Sequence, residues 1–154
     1  LVGSEMCIRD RDLVLRDIFR DKRFRQALSL AIDREEINDL IFFGKGVPRA
    51  ETVMPNSMFY EPEFAKAYAE YNPEKANALL DEMGLKWDKN HQYRLRPDGK
   101  RLSVIVDVIV GTEEGVDRIS IMEMVKKYWR AIGIDTRIKP ESIIGSNGTL
   151  MWVN

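Results

Sequence analysis

Between Leu102 and Lys139 the sequence passes through three patterns that few folds can satisfy together. Leu102 to Val110 is a β-branched run interrupted by Asp107, which predicts a strand buried on both faces. Ile121, Met122, Val125, Tyr128, Trp129 and Ile132 then recur at the spacing of one helical face, and Gly133 is placed to end that helix. Ile134, Thr136 and Ile138 alternate with Asp135, Arg137 and Lys139, the period of a strand. A strand, a helix and a strand in this order predict a right-handed crossover joining two parallel strands. The expected class is α/β, and the loop after Val110 lies at the carboxyl end of the first strand, where ligands tend to collect in such sheets.

Upstream the period is helical. Leu13, Val14, Leu15, Ile18 and Phe19 suggest a short lead-in helix that Asp21 ends by capping the next one. Phe24, Ala27, Leu28, Ala31 and Ile32 continue at helical spacing until Asp33 interrupts. Asp33 is placed as an N-cap for a further helix carrying Ile37, Leu40 and Ile41, with Glu36 able to reach back in a capping box. Gly44 and Gly46 stop that helix, and the prolines between Val47 and Pro62 predict an ordered surface loop anchored by Met54, Met58, Phe59 and Tyr60. Phe64, Ala67, Tyr68 and Tyr71 are spaced for a short helix. Asn72-Pro73 opens another, with Ala76, Leu79, Leu80 and Met83 as its buried stripe and Gly84 as its stop. Tyr93 and Leu95 alternate with Arg94 and Arg96 as a strand would, before a turn at Pro97-Asp98-Gly99.

Composition excludes several classes. A formal net charge of −1, with acids and bases interleaved, argues against a nucleic-acid partner. No apolar stretch is long enough to cross a bilayer as a helix. A single cysteine, Cys7, permits no internal disulfide, and one histidine with one cysteine builds no zinc site. His91 sits in the polar stretch Asp88-Lys89-Asn90-His91-Gln92, a turn setting with no serine or cysteine nucleophile motif beside it. Gly44-Lys45-Gly46 follows a helix rather than a strand and reads as a helix stop, not a phosphate loop. Asp33 and Arg34 read as a cap and its neighbour rather than a buried ion pair, and Asn147-Gly148-Thr149 as a chance glycosylation triplet. No metal, no cofactor and no catalytic residue is expected.

An ordered series of motifs carries more information than any of these. It comprises the run from Arg23 to Ile37, then Gly44-Lys45-Gly46-Val47-Pro48 and Met54-Pro55-Asn56-Ser57, then the helix from Asn72 to Gly84. Arg96-Pro97-Asp98-Gly99-Lys100 and Trp129-Arg130-Ala131-Ile132-Gly133-Ile134 complete it. In order and spacing, from about Asp12 to Lys139, the series resembles the family 5 extracellular solute-binding proteins, which deliver peptides, nickel complexes or oligosaccharides to bacterial ABC importers. The resemblance implies a piece of the second lobe of a two-lobed periplasmic binding protein-like fold, with a parallel strand, helix, strand unit and flanking helices. It implies a small solute bound non-covalently in an interlobe cleft, permease subunits as partners, a monomer when full length, and a place in the periplasm or on the outer face of the cytoplasmic membrane. Residues 12–142 are then expected to form part of one lobe and 143–154 an irregular or truncated end. Residues 1–11, which resemble translated adapter sequence and carry no signal-peptide pattern, are expected to be non-native.

Thr112, Glu113, Glu114 and Arg118 are the candidate ligand contacts, because Gly111 lets the chain turn after the strand and Val116 begins the next helix. In the family this junction faces the cleft. Phe59, Tyr60 and Trp87 are candidate aromatic contacts, and Tyr128 and Trp129 belong to a packed helical stripe. A different class of reading is a free-standing α/β interaction domain with an exposed apolar surface; a third is an enzyme working through Glu113 or Glu114 with a bound cofactor.

Overall fold

The computed structural model describes residues 12–50, 52–54, 56–110 and 118–142. Eight elements follow in order: α1 (Leu13–Arg20), α2 (Lys22–Leu30), α3 (Arg34–Phe42), α4 (Pro62–Lys66), α5 (Pro73–Glu82), β1 (Ser103–Val110), α6 (Arg118–Ala131) and β2 (Asp135–Ser142). β1 and β2 pair in parallel with Ser103 opposite Asp135 and Val110 opposite Ser142, and α6 forms the crossover.

Local chemistry sets the helix starts. The carboxylates of Asp12, Asp21 and Asp33 and the amide oxygen of Asn72 each accept a backbone N–H one turn or less ahead, from Leu15, Arg23, Glu36 and Lys75. Pro73 occupies the first turn of α5, where a missing N–H costs nothing. The capping box at Asp33 is only half made. Glu36 turns instead to α6, where its carboxylate accepts the Tyr128 hydroxyl and lies 3.4 Å from Lys127 Nζ.

The core lies where α2, α5, the amino end of the sheet and the corner before β2 meet. Phe24, Ala27 and Leu30 of α2 pack with Ala76 and Leu80 of α5, and Leu85, Leu102, Ile132 and Ile134 close the cluster. A smaller cluster of Ile37, Val125 and Tyr128 joins α3 to α6. The Trp129 indole donates to Leu28 O at 3.0 Å and ties α6 to α2.

Three expectations change. The segment 93–96 forms isolated bridges, Trp87 with Arg94 and Leu95 with Arg101, rather than a strand, and it buries Arg94 and Arg96. The helix expected around Phe64 to Tyr71 starts earlier and stops at Lys66; it buries Ala65 and leaves Phe64 and Tyr68 exposed. β1 is buried on one face only. Val104 and Val108 are buried, whereas Ile105 and Ile109 on the opposite face are 45% and 38% exposed, because the described residues supply no second layer there.

Arg94 is fully buried. Its guanidinium donates to Ile132 O at 3.0 Å, to Leu85 O, to Asn77 Oδ1 at 2.8 Å and to Asp81 Oδ1 at 2.6 Å, and it stacks 4.8 Å from the Trp87 ring. Removing it strands several buried carbonyls and opens a cavity. Arg94→Ala is expected to cost roughly 3–5 kcal/mol in urea denaturation. Asp81→Asn, at a side chain 62% exposed, should cost about 1 kcal/mol or less.

Gly133 has φ +85°, and a Cβ there would lie 2.7 Å from Trp87 Cζ3 and 2.8 Å from Arg94 Cγ. Gly84 has φ +75° with open space around it. The same denaturation measurement should therefore rank Gly133→Ala, at about 3 kcal/mol, well above Gly84→Ala, at about 1 kcal/mol.

Candidate functional site

The carboxyl half of β1 and the first turns of α6 enclose a cavity of about 300 Å³. Val106, Val108, Ile109, Ile121 and Met122 supply apolar walls, and Asp107 and Arg118 supply one charge of each sign. The placement follows from the fold, since a parallel crossover puts the helix amino terminus beside the carboxyl end of the preceding strand. Arg118 is the first residue of α6 and is half-buried. Its cation and the amino end of the helix dipole favour negative charge at this edge. Asp107 Oδ1 is buried without a hydrogen bond and lies 3.9 Å from Lys139 Nζ on the neighbouring strand.

Of the residues singled out in the sequence, Arg118 stands at this edge. Thr112, Glu113 and Glu114 lie outside the described residues, as do Cys7, Asn147-Gly148-Thr149 and Trp152. Trp87 stands at the other end of the sheet, packed between the Arg94 guanidinium and the His91 ring, whose centroid is 4.4 Å away. Phe59 is exposed and Tyr60 half-buried in the turn that follows Met54, and neither lines the cavity at Arg118. Ile121 and Met122, read in the sequence as packing residues, also line it. Asp107 was visible only as a break in an apolar run. Its role as a cavity wall depends on the side of β1 that α6 leaves open, which no local pattern encodes.

The arrangement suits non-covalent binding. An apolar recess with two charged groups can hold a side chain and orient a polar group beside it. His91, the sole histidine, is remote from it, and among the described residues no group of His, Cys, Asp and Glu is placed to hold a metal ion. No helix among them is long and apolar enough to cross a membrane.

Residues 7–147 match the profile of the bacterial extracellular solute-binding proteins, family 5, middle region. The chain belongs to this family. It is 34% identical over 121 residues to the oligopeptide-binding protein AppA of Bacillus subtilis, covering 79% of this chain and 22% of AppA. The solved structure of that protein in complex with a nonapeptide superposes with a TM-score of 0.67 at 30% identity, covering 82% of this chain and 24% of the other. A solved oligopeptide-binding protein OppA is 49% identical with a TM-score of 0.78, over 84% of this chain and 20% of that one. The periplasmic binding protein MelB of Agrobacterium fabrum, solved with stachyose, shares the fold at 24% identity and a TM-score of 0.66, over 82% and 19% of the two chains. The family 5 chain thus spans about a fifth of the length of the relatives it matches, which are two-lobed periplasmic binding proteins. The family consists of substrate-binding proteins rather than enzymes.

The Glu36 to Tyr128 bond is one of the contacts that fix α6, the helix that begins at Arg118, against α3. The Tyr128 hydroxyl and the Lys127 ammonium hold the Glu36 carboxyl below its ordinary value near 4.5, while burial and Glu36 push Tyr128 up. A carboxyl depressed in the folded state contributes stability above its unfolded pKa and loses it as pH falls through the folded value. Acid titration of the chain should show a loss of stability beginning near pH 4.5. Part of that loss should be absent in Glu36→Gln, as read by the difference in urea midpoints at pH 7 and pH 3.5.

Proposed function

We propose that this chain forms part of one lobe of the substrate-binding component of an ABC importer, and that its ligand is a peptide. The observation that carries the reading is the half-buried cation Arg118 at the rim of an apolar cavity, on the carboxyl edge of a parallel strand pair. A peptide presents both partners such an edge needs, apolar side chains for the recess and carboxylates for the cation. The relatives at 34% and 49% identity are both oligopeptide-binding proteins, which supports a peptide over an oligosaccharide. Thr112, Glu113 and Glu114 are proposed to add polar contacts from the adjoining loop, and residues 12–142 to act as the lobe segment. Phe59 and Tyr60 remain proposed aromatic contacts.

The mechanism is a population shift. Two lobes close on the solute, and the closed form, stabilised by the ligand's greater affinity for it, docks on permease subunits at the outer face of the cytoplasmic membrane. This segment supplies one wall of the cleft, so the 154-residue chain alone is expected to bind peptide weakly.

The test is mass spectrometry of small molecules that co-purify with the full protein encoded by the reading frame containing this sequence, followed by calorimetry. Short peptides should be found, and Arg118→Ala in that protein should weaken their binding by about tenfold, the scale of one charge-assisted hydrogen bond. Recovery of oligosaccharides instead, or an unchanged affinity in Arg118→Ala, would overturn respectively the ligand class and the role of the edge.

A further inference from the structure

A second cavity, of about 290 Å³, lies between α3 and the chain that follows it, and shares no lining residue with the one at Arg118. Ile37, Phe42, Val47 and Pro48 give it apolar walls, and the charged residues that line it are Arg34 and Arg49. Among the described residues no carboxylate lines it. Arg34 also borders a neighbouring recess that Asp33, Glu35 and Glu70 line.

Arg34 is half-buried and its hydrogen bonds all go to neutral oxygens. It donates to Ser29 O at 2.9 Å, Ile32 O at 3.4 Å, Ala69 O at 3.2 Å and Ser29 Oγ at 2.8 Å. The two buried arginines among the described residues have a different arrangement: Arg94 meets Asp81, and Arg96 meets Asp12 and Asp98. Burial alone shifts Arg34, pulling its guanidinium below its usual range, and no carboxylate offsets that shift. A cation left in this state gains from an anion that reaches it. Arg49 stands exposed on the same rim, with no ion pair to a carboxylate among the described residues.

The groove is built in advance of any ligand. Buried Asn38 accepts the Gly46 N–H on Oδ1 at 2.8 Å, and a Cβ at Gly46 would lie 2.6 Å from that oxygen, so a side chain at 46 would have to displace the Asn38 amide that holds the chain near α3. Beyond Arg49, the Ala50 N–H donates to Ala65 O at 2.8 Å and anchors the far end of the wall to α4. A preformed recess forfeits little ordering entropy on binding.

We propose that this groove binds a small organic carboxylate with an apolar body, the carboxylate placed at Arg34 and Arg49 and the apolar part against Ile37, Phe42 and Val47. The volume suits a body the size of a single large amino acid. An uncharged apolar molecule leaves the Arg34 cation uncompensated, and a carboxylate with no apolar body leaves the walls wet; the combination satisfies both. The inference rests on α3 and the segment after it, and stands or falls separately from peptide binding at Arg118.

The test is an NMR titration of the ¹⁵N-labelled 154-residue chain with N-acetyl-L-phenylalanine and, separately, with its uncharged amide. The acid should produce saturable shifts at the Gly46, Val47 and Arg49 amides and at the Asn38 side chain, and bind about tenfold more tightly than the amide. Arg49→Gln, at an exposed side chain outside the core, should narrow the advantage of the acid over the amide severalfold, leaving the share that Arg34 supplies, without altering the rest of the spectrum. Equal affinity for acid and amide, indifference to Arg49→Gln, or saturation of Ile121 and Met122 in place of Gly46 would each overturn the proposal. The last of these would assign the ligand to the cavity at Arg118.

Discussion

The buried guanidinium of Arg94 holds the amino end of the sheet together. An isolated charge at that depth would cost several kcal/mol of lost hydration, and it is tolerated because Leu85, Ile132, Asn77 and Asp81 all present oxygens to it. Those acceptors belong to α5 with the turn after it and to the corner before β2, so one side chain joins two segments distant in sequence to its own. Its backbone does the same for register. The Arg94 N–H donates to Gly133 O at 2.7 Å, Leu102 N–H to Arg94 O at 2.8 Å, and Asp135 N–H to Leu102 O at 3.1 Å. The last of these bonds sits immediately before the pairing of Ser103 with Asp135, and every later pair in the parallel ladder inherits its register from there. Gly133 and Trp87 are part of the same construction, since the glycine leaves room for the indole beside the guanidinium.

A second clamp secures the start of the described chain to the same region. Arg96, 8% exposed, pairs with Asp12 at 2.8 Å and with Asp98 at 2.6 Å, so the residue that caps α1 is also held by the turn before β1. Both carboxyls lie below their ordinary value, Asp12 chiefly through the Leu15 N–H and Asp98 through Arg96 against the opposing effect of burial. Asp12 thus joins a local cap to a contact 84 residues away.

What the sequence revealed divides along the same line between local and distant causes. The parallel strand, helix, strand unit was legible because period 2 and period 3.6 are local, and the helix starts at Asp21, Asp33 and Asn72 because a cap needs only its own next turn. The buried arginines were not. In Tyr93-Arg94-Leu95-Arg96 alternation assigns the arginines outward, yet Arg94 and Arg96 turn inward because their acceptors come from residues 77–85, 132 and 12. The capping box at Glu36 gave way to Tyr128, 92 residues on. Burial of β1 on both faces was overread for a related reason: a β-branched run records what a strand can tolerate on each face, and the covering layer must come from elsewhere in the fold. Arg118 stands at the carboxyl edge because topology places it there; that Asp107, and separately Arg34 and Arg49, border recesses was not legible, because recesses form where separate segments approach.

The two ends of the sheet are consequently built for different tasks. At the amino end, charge is sealed inside by matched acceptors and glycine-dependent packing. At the carboxyl end, Asp107 keeps an oxygen with no hydrogen bond, Ile109 remains partly exposed, and Arg118 borders an unfilled recess. If the open edge meets solute as proposed, both properties matter, because free energy gained there shifts an equilibrium between open and closed forms only if the wall behind it does not yield. The rigid anchor at Arg94 lies along the same two strands that carry the open edge, and the register it sets determines where Asp107 and Ile109 stand. A substitution at the sealed end is thus coupled to the geometry at the open one through the strands themselves.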